Sequence, residues 1–213
     1  MKRILCYGDS NTYGCTSIFA PEGIGRLDGE HRWPCLLQKE LGKEYEIIEE
    51  GLNGRTTAYD RPGAPWKNGM SSFTACLGTH KPADYVIIML GTNDCNTELN
   101  LSAEDIADGM EMLVRTAEQE APALQGYVPE IIVAAPAAIR GDIEKSPFAG
   151  KLDPESVQKS VDIGPLYREI AERHGVKFAD ATSGIEVSPD CEHLTEKGHR
   201  QLANLFLNVI RTR

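Results

Sequence analysis

The sequence predicts an α/β fold in which a parallel β-sheet is covered by helices on both faces. Strand-like and helix-like patterns alternate along the whole chain, as in folds built from β-α-β units. The strand-like segments are short continuous apolar runs, which is typical of strands buried on both faces. Several of these runs end directly in small polar residues, where ligand sites of such sheets are found.

The individual elements follow from these patterns. Apolar runs predict strands at residues 4–7, 45–50, 84–90, 131–135 and 176–179. Apolar residues at helical spacing predict helices over 33–41 and 70–77, one beginning at 103, one from 154 through 170, and one through 202–210. Gly164 and Pro165 are expected to kink or split the fourth of these helices. Long loops are expected at 15–30 and 137–153.

Length, charge and cysteine usage exclude several classes of protein. With 213 residues the chain is expected to be a single domain, 1–213. A net charge of −10 argues against nucleic acid or an anionic membrane as a partner, since both need a basic face. No apolar stretch has the length of a membrane span, and none resembles a secretory signal, so a cytoplasmic protein is expected. The six cysteines form no C-x-x-C pair and are expected to be reduced thiols.

Four predicted loops carry polar residues that could act together. Ser10 follows the first strand, Asn53-Gly54 the second and Asn93 the third, while Asp190 and His193 lie in the loop before the last helix. The carboxyl ends of parallel strands meet at one edge of the sheet, so we expect these residues to lie close together.

These residue types match the requirements of acyl transfer. A serine hydroxyl, here Ser10, becomes a strong nucleophile when a base such as His193 accepts its proton. A carboxylate such as Asp190 orients the imidazole and stabilises its protonated form. The backbone N–H groups of Ser10 and Gly54 and the side-chain amide of Asn93 could stabilise the oxyanion of the tetrahedral intermediate.

Simpler interpretations exist for each residue taken alone. Ser10 could be a helix cap, Gly54 and Asn93 turn residues, and Asp190 and His193 the start of the last helix. Cys191 is a candidate metal ligand or alternative nucleophile. The other histidines have no evident partner and are expected at the surface or at helix ends: His31, His80, His174 and His199.

The four segments together resemble the sequence blocks of the SGNH hydrolases, the GDSL-type esterases and lipases. The resemblance covers nearly the whole chain and is closest to the intracellular arylesterase/acyltransferase branch. The matching blocks, in order, are Gly8-Asp9-Ser10-Asn11, Gly51-Leu52-Asn53-Gly54, Gly91-Thr92-Asn93-Asp94 and Asp190-Cys191-Glu192-His193.

This resemblance implies a three-layer α/β/α sandwich with a parallel sheet of flavodoxin-like strand order. It also implies Ser10 as nucleophile, His193 as base and Asp190 as its orienting acid, with an oxyanion hole formed by Ser10, Gly54 and Asn93. No cofactor and no metal are implied. Two positions depart from the family pattern: Asn11 stands where the motif has leucine, and Cys15 stands where the arylesterase branch has a bulky aromatic residue.

The leading functional prediction is a cytoplasmic serine esterase that hydrolyses short-chain acyl esters, chiefly acetyl esters, with transfer to alcohols as an additional activity. A carbohydrate O-acetylesterase or a thioesterase with the same triad is the nearest alternative. A non-catalytic flavodoxin-like module that binds an anion is the alternative from a different class. Trp66 and Phe148 look exposed in the sequence and are candidates for contacts in a homo-oligomer.

Overall fold

A single five-stranded parallel sheet organises the computed structural model, which describes residues 1–20 and 23–212. The strand order is β2-β1-β3-β4-β5, which is the flavodoxin-like order. The strands are β1 (Lys2–Gly8), β2 (Tyr45–Gly51), β3 (Tyr85–Met89), β4 (Glu130–Ala135) and β5 (Lys177–Asp180). The predicted fold class and strand order are therefore confirmed.

Five of the helices lie where the sequence predicts them, and a sixth is a single turn directly after β1. They are α1 (Ser10–Tyr13), α2 (Trp33–Leu41), α3 (Gly69–His80), α4 (Ala103–Gln125), α5 (Pro154–His174) and α6 (Glu196–Arg211). None of the helices in the described ranges combines the length and the apolar character needed to cross a bilayer.

The two faces of the sheet are covered by different helices. On β1, Ile4 and Cys6 pack in one apolar cluster with Trp33 of α2 and Phe206 of α6. The alternate residues of the same strand, such as Leu5, pack in a second cluster with α3, α4 and α5. Successive side chains of a strand point to opposite faces, so a continuous apolar run supplies both cores. The result is the three-layer arrangement of helices, sheet and helices.

The register of the central strands brings their carboxyl ends to the same level. Gly8, the last residue of β1, pairs with Gly51 at the end of β2 and with Met89 at the end of β3. A Cβ atom on Gly51 would lie 2.1 Å from the backbone nitrogen of Tyr13, so only glycine allows α1 to pack over the end of β2. The loops that carry Ser10, Gly54 and Asn93 therefore begin at one edge of the sheet.

Gly164 and Pro165 were expected to kink or split a helix, and the helix is not split. Asp153 caps α5, and the helix continues from Pro154 to His174 without a break. A proline inside a helix costs one backbone hydrogen bond. Buried contacts of the same helix compensate: the Tyr167 hydroxyl donates to the Leu90 carbonyl at 3.1 Å.

His199 was expected at the surface or at a helix end. It lies in the first turn of α6, but the expected surface exposure was wrong. His199 is on the inner face of α6 and is fully buried. Its Nδ1 accepts a hydrogen bond from the backbone N–H of Trp33 at 3.3 Å. Burial disfavours the charged ring and, with nearby Arg32, lowers the pKa of His199 to about 3. His199 is therefore a neutral core residue.

Candidate active site

A cavity of about 210 Å³ opens at the carboxyl edge of the sheet. Residues from all four polar loops contribute to its wall, together with residues from the long loops between them. The lining residues are Ser10, Cys15, Ile24, Asn53, Gly54, Arg61, Lys67, Asn93, Asn96, Phe148, Lys151, Glu192 and His193. The structure thus brings Ser10, Gly54, Asn93 and His193 together.

The turn after β1 presents Ser10 to this cavity. Asp9 caps α1 by accepting a hydrogen bond from the backbone N–H of Asn11 at 2.9 Å. Ser10 is the first residue of the helical turn and is 4% exposed. Burial raises the pKa of Asp9 to about 6, and its hydrogen bond from Asn11 opposes that shift. The serine is therefore held on a short, capped segment that follows directly from the central strand.

Asp190 and His193 form a buried hydrogen-bonded pair. The Asp190 Oδ2 atom lies 3.0 Å from His193 Nδ1. Its Oδ1 atom accepts hydrogen bonds from the backbone N–H groups of Glu192 and His193, at 3.0 and 2.9 Å. Asp190 is fully buried, and His193 is 8% exposed. The carboxylate therefore lies behind the ring, and Nε2 is left for contacts on the ring's other side.

The pair shifts both ionisation equilibria. Burial opposes charge on the His193 ring, but the hydrogen bond that the ring donates to Asp190 outweighs it and raises the pKa of His193. Burial likewise opposes charge on Asp190, but the hydrogen bonds that it accepts from the ring and the backbone N–H of His193 lower the pKa of the carboxyl group. Asp190 therefore stabilises the protonated form of His193, as a base in acyl transfer requires.

Ser10 and His193 share the cavity wall without a direct hydrogen bond between hydroxyl and ring among the described residues. Cys15 lies in the same wall. Phe148 packs edge-on against the same ring, with centroids 5.9 Å apart. Hydrogen bonds between a nucleophile and its base are often long before substrate binds and shorten in the Michaelis complex. The expectation that Phe148 is exposed was wrong, because its loop folds back over His193.

Gly54 and Asn93 face the cavity from two neighbouring loops. Gly54 has a φ of +80°, which a glycine adopts without strain. The Asn93 Nδ2 donates one hydrogen bond to the Arg55 carbonyl at 3.2 Å, which leaves its second N–H for the cavity. Arg61 Nη1 donates to both Asn93 Oδ1 and the Gly54 carbonyl, each at 3.4 Å. Arg61 therefore fixes the orientation of the Asn93 amide.

The sequence did not indicate this role for Arg61. The residue lies in a loop rich in glycine and proline, and its partners come from two other loops. Glu98 holds the guanidinium, with Nη2 and Nε at 2.7 and 3.0 Å from Oε1. No periodicity or motif in the sequence pairs residue 61 with residues 93 and 98.

A buried carboxylate joins the Gly54 loop to the Asn93 loop. Asp94 accepts hydrogen bonds from the backbone N–H and the hydroxyl of Thr57, at 3.0 and 2.5 Å. Burial raises the pKa of Asp94 to about 6, although the contacts with Thr57 lower it. On the other side, Arg55 donates to the Gly8 carbonyl at 2.8 Å. The loops that carry Ser10, Gly54 and Asn93 are thus connected by buried hydrogen bonds.

Asn11 connects the serine turn to the loop that carries His193. Its Nδ2 donates to the Glu192 carbonyl at 3.2 Å, and its Oδ1 accepts from the backbone N–H of Leu194 at 3.0 Å. These two contacts lie on either side of His193. Leucine, which the family motif has at this position, could make neither of them. Asn11 therefore positions His193 relative to Ser10.

Replacing Asn11 with alanine is expected to lower kcat by about ten- to a hundredfold with little change in KM. Two buried hydrogen bonds, each with a net value of about 0.5–1.5 kcal/mol, hold the His193 loop, and 1.4 kcal/mol corresponds to a tenfold effect. Steady-state kinetics on p-nitrophenyl acetate test this, with the exposed Asn204→Ala in α6 as a matched control. An unchanged kcat in Asn11→Ala would show that the loop holds His193 without this contact.

Cys191 is poorly suited to act as a nucleophile. It is fully buried and lies on the far side of the loop, with Sγ 3.4 Å from Asp142 Oδ1. Burial and the Asp142 carboxylate raise the pKa of its thiol to about 11. A nucleophilic cysteine needs a lowered pKa and access to substrate.

Cys191→Ala is therefore expected to keep kcat/KM within about threefold of the wild-type value, because a buried thiol with a raised pKa is inert. The assay is p-nitrophenyl acetate hydrolysis at matched protein concentration. A loss comparable to that of Ser10→Ala would assign the nucleophile to Cys191 instead.

The side chains that could hold a metal lie elsewhere. Among residues 1–20 and 23–212, Glu50, Cys76 and His80 are the one cluster whose ligand atoms lie within 4.8 Å of one another. His80 Nε2 lies 2.6 Å from Glu50 Oε1, so these two already form a hydrogen bond between β2 and α3. Neither Cys191 nor any residue that lines the cavity belongs to this cluster.

Asp190 and His193 do not begin the last helix, which was the simpler interpretation of this pair. α6 starts at Glu196, and Thr195 caps it by accepting a hydrogen bond from the Gly198 N–H at 3.0 Å. The loop before the cap is free to direct His193 into the cavity.

The fold and the site place the protein among the doubly wound α/β proteins that bind ligands at the carboxyl edge of a parallel sheet. The model of the GDSL-like lipase/acylhydrolase family matches residues 6–201. The chain belongs to this family, and the protein is a carboxylic ester hydrolase.

Solved structures agree with this assignment over the whole chain. The aryl esterase of M. smegmatis shares 36% identity and a TM-score of 0.92, with 99% of both chains covered. Est24, a carbohydrate acetylesterase from Sinorhizobium meliloti, shares 30% identity and a TM-score of 0.90, with 99% of this chain and 98% of that chain covered. A carbohydrate acetylesterase family member from the same organism shares 35% identity at a TM-score of 0.88, with the same coverage. None of the curated proteins matches the chain significantly in sequence.

Proposed function

We propose that the protein hydrolyses small acetyl and other short-chain acyl esters through a covalent acyl-Ser10 intermediate. Ser10 is the nucleophile, His193 the general base and Asp190 the group that orients His193. The observation that carries this proposal is the meeting of Ser10, Gly54, Asn93 and His193 in one cavity, with the Asp190 carboxylate 3.0 Å behind the His193 ring.

In the first half of the reaction, Ser10 Oγ attacks the ester carbonyl carbon and gives its proton to His193 Nε2. The charge that develops on the carbonyl oxygen is stabilised by the N–H groups of Ser10 and Gly54 and by the free N–H of the Asn93 amide. His193 then donates its proton to the leaving alcohol as the carbon–oxygen bond breaks, which leaves the acyl group on Ser10.

In the second half, a water molecule attacks the acyl-Ser10 carbonyl, and His193 accepts its proton. The tetrahedral intermediate collapses, the proton returns to Ser10 Oγ, and the carboxylic acid is released. An alcohol that takes the place of water gives a new ester, which is the acyl-transfer reaction. Asp190 stabilises the imidazolium in both halves of the reaction and itself remains ionised throughout.

The size of the cavity supports a small substrate. Its volume of about 210 Å³ is below the roughly 300–1,000 Å³ of sites that enclose drug-sized ligands. Ile24, Cys15 and Phe148 are its apolar lining residues, while the remaining ones offer polar groups. This supports short acyl chains over long ones.

A carbohydrate O-acetylesterase is a second candidate. The polar lining residues include Asn53, Asn96 and Glu192, which offer both donors and acceptors to a polyhydroxylated leaving group. The similarity to Est24, described as a carbohydrate acetylesterase, favours the same substrate class. Both candidates use the same chemistry at Ser10.

We also propose a cytoplasmic location and self-association. All six cysteines are free, which supports a reducing compartment. Trp66 is 60% exposed and supports a contact surface for self-association next to Lys67 of the cavity wall. The small-molecule partner is the ester substrate itself. No nucleic-acid partner is proposed, because the net charge is −10.

A panel of substrates tests the proposed function. We expect p-nitrophenyl acetate to be hydrolysed with a higher kcat/KM than the octanoate ester. Comparing acetylated sugars with aryl acetates separates the two candidate functions. A fluorophosphonate should label the wild-type protein at Ser10. Mass spectrometry of the peptide that contains Ser10 tests this. Failure to hydrolyse any aryl, sugar or coenzyme A ester, together with no labelling, would favour the anion-binding module.

A further inference from the structure

The cavity is lined by cations although the protein as a whole is acidic. Arg61, Lys67 and Lys151 line it, and Glu192 is the single acidic side chain among the lining residues, in a chain of net charge −10. The rest of the chain carries an excess of negative charge. The group of basic residues at the proposed ester site is therefore specific to this cavity.

Lys67 lies beside Gly54 with Arg61. A Cβ atom on Gly54 would be 2.8 Å from Lys67 Nζ and 2.9 Å from Arg61 Nη1, so both cationic groups lie against the same glycine. Burial lowers the pKa of Lys67, and the nearby charge of Arg61 lowers it further. Two like charges at one point of a cavity wall repel each other, and an anion placed between them relieves this repulsion.

The two cations differ in their partners. Arg61 forms an ion pair with Glu98 at 2.7 Å. Lys67 has no carboxylate partner within the described part of the chain. Its Nζ makes a cation–π contact with the Trp66 ring, 5.2 Å from the ring centroid. The backbone of Lys67 is nevertheless fixed, because its carbonyl accepts from the Thr56 N–H at 3.1 Å. A half-buried ammonium group thus lies beside Gly54 with no anion of the described protein to neutralise it.

Lys151 approaches the cavity from a different loop. Its backbone N–H donates to the Phe148 carbonyl, and its carbonyl accepts from the Thr97 N–H, each at 2.9 Å. Phe148 packs on the His193 ring, so Lys151 belongs to the wall near the base, whereas Lys67 belongs to the wall at Gly54. Lys151 also has no ion-pair partner among the residues described. An ester bound at Ser10 would therefore lie between two lysine residues of the cavity wall that have no ion-pair partner among the described residues.

We propose that the preferred substrate is a short-chain ester that carries an ionised group, a carboxylate or a phosphate, bound by Lys67 and Lys151. This inference rests on the proposed function, since it names the class of ester that Ser10 attacks. Charge-assisted hydrogen bonds from the two ammonium groups select the anionic ester and orient its carbonyl toward Gly54 and Asn93. Carboxylate and phosphate share this chemistry, so the experiment separates them.

The test compares esters that differ in charge. The neutral substrate is methyl 4-acetoxybenzoate, the carboxylate is 4-acetoxybenzoate, and the phosphate is 4-acetoxyphenyl phosphate. Each is assayed with wild type, Lys67→Met, Lys151→Met, the double variant and the exposed Lys43→Met as the matched control. The ratio of wild-type to variant kcat/KM is taken for each substrate separately, so that differences in the intrinsic reactivity of the esters cancel.

We expect each lysine substitution to lower kcat/KM for at least one anionic ester by about tenfold, and to change the neutral ester by less than about threefold. The larger effect, on carboxylate or on phosphate, identifies the group that is bound, and added salt should reduce the preference. Lys43→Met should change no ratio.

Three results would overturn the inference, and they differ from a failure of the proposed function. An equal loss for neutral and anionic esters would show that the lysines stabilise the oxyanion or the fold. Unchanged ratios in the double variant would show that they bind no substrate group. Efficient hydrolysis of neutral esters alone would leave the esterase proposal standing, whereas hydrolysis of no ester by wild type would remove the esterase proposal itself.

Discussion

Replacing Ser10 with alanine is expected to lower kcat for p-nitrophenyl acetate by about 10⁶-fold, the loss typical of removing a serine nucleophile from an intact site. The variant keeps the Gly54 and Asn93 donors and the Asp190–His193 pair, but no group remains that can form the acyl intermediate. Initial rates and the pre-steady-state burst, both corrected for spontaneous hydrolysis, measure the effect.

The fold should tolerate this substitution. Ser10 is the first residue of α1, while the cap of this turn comes from Asp9. Thermal unfolding should therefore change little, and the exposed Ser71→Ala in α3 is a matched control for both activity and stability. Activity of Ser10→Ala within tenfold of wild type would require another nucleophile and would contradict the proposed mechanism.

The positions of the proposed catalytic residues were predictable because their signals are local in sequence. Ser10 follows a buried strand directly, and Asp190 and His193 are three residues apart in one loop. A parallel sheet then forces the ends of its neighbouring strands to one edge, which the level register of Gly8, Gly51 and Met89 demonstrates. The continuous apolar runs of the strands account for the two apolar cores, whereas the strand order was implied by the family resemblance.

The residues that the sequence did not reveal depend on loop paths. The sequence marked Asn11 only as a departure from the family motif, because its partners lie 181 and 183 residues away in the chain. Arg61 and Phe148 reach the cavity from loops of 10–20 residues, whose course no hydrophobic period encodes. The orientation of the oxyanion donors and the charge of the cavity wall therefore required coordinates.

His199 was different, because the sequence does contain the signal. It lies three residues before Leu202 and seven before Phe206, which is the spacing of the buried face of α6. The imidazole was expected at the surface or at a helix end because no partner was evident in the sequence, and the periodicity was the better guide. Helical spacing should outweigh polarity when a histidine continues an apolar stripe.

Replacing Asp190 with asparagine is expected to lower kcat by about 10⁴-fold, because an amide no longer holds the imidazole in the tautomer that accepts the Ser10 proton. The Asp190 carboxylate also raises the pKa of His193 against the effect of burial. Since only the neutral ring acts as a base, wild-type kcat/KM should rise with pH through a midpoint above the ordinary histidine value of about 6.5. Asp190→Asn should lower this midpoint, since the largest of the contacts that raise the pKa of His193 is then lost while the effect of burial remains.

The pH profile separates this role of Asp190 from a purely structural one. A loss of folding would reduce activity by the same factor at every pH, whereas loss of the carboxylate also moves the acid limb to lower pH. The exposed Asp108→Asn in α4 should change neither the rate nor the midpoint. A midpoint in Asp190→Asn equal to that of wild type would mean that another base, and not His193, limits the reaction.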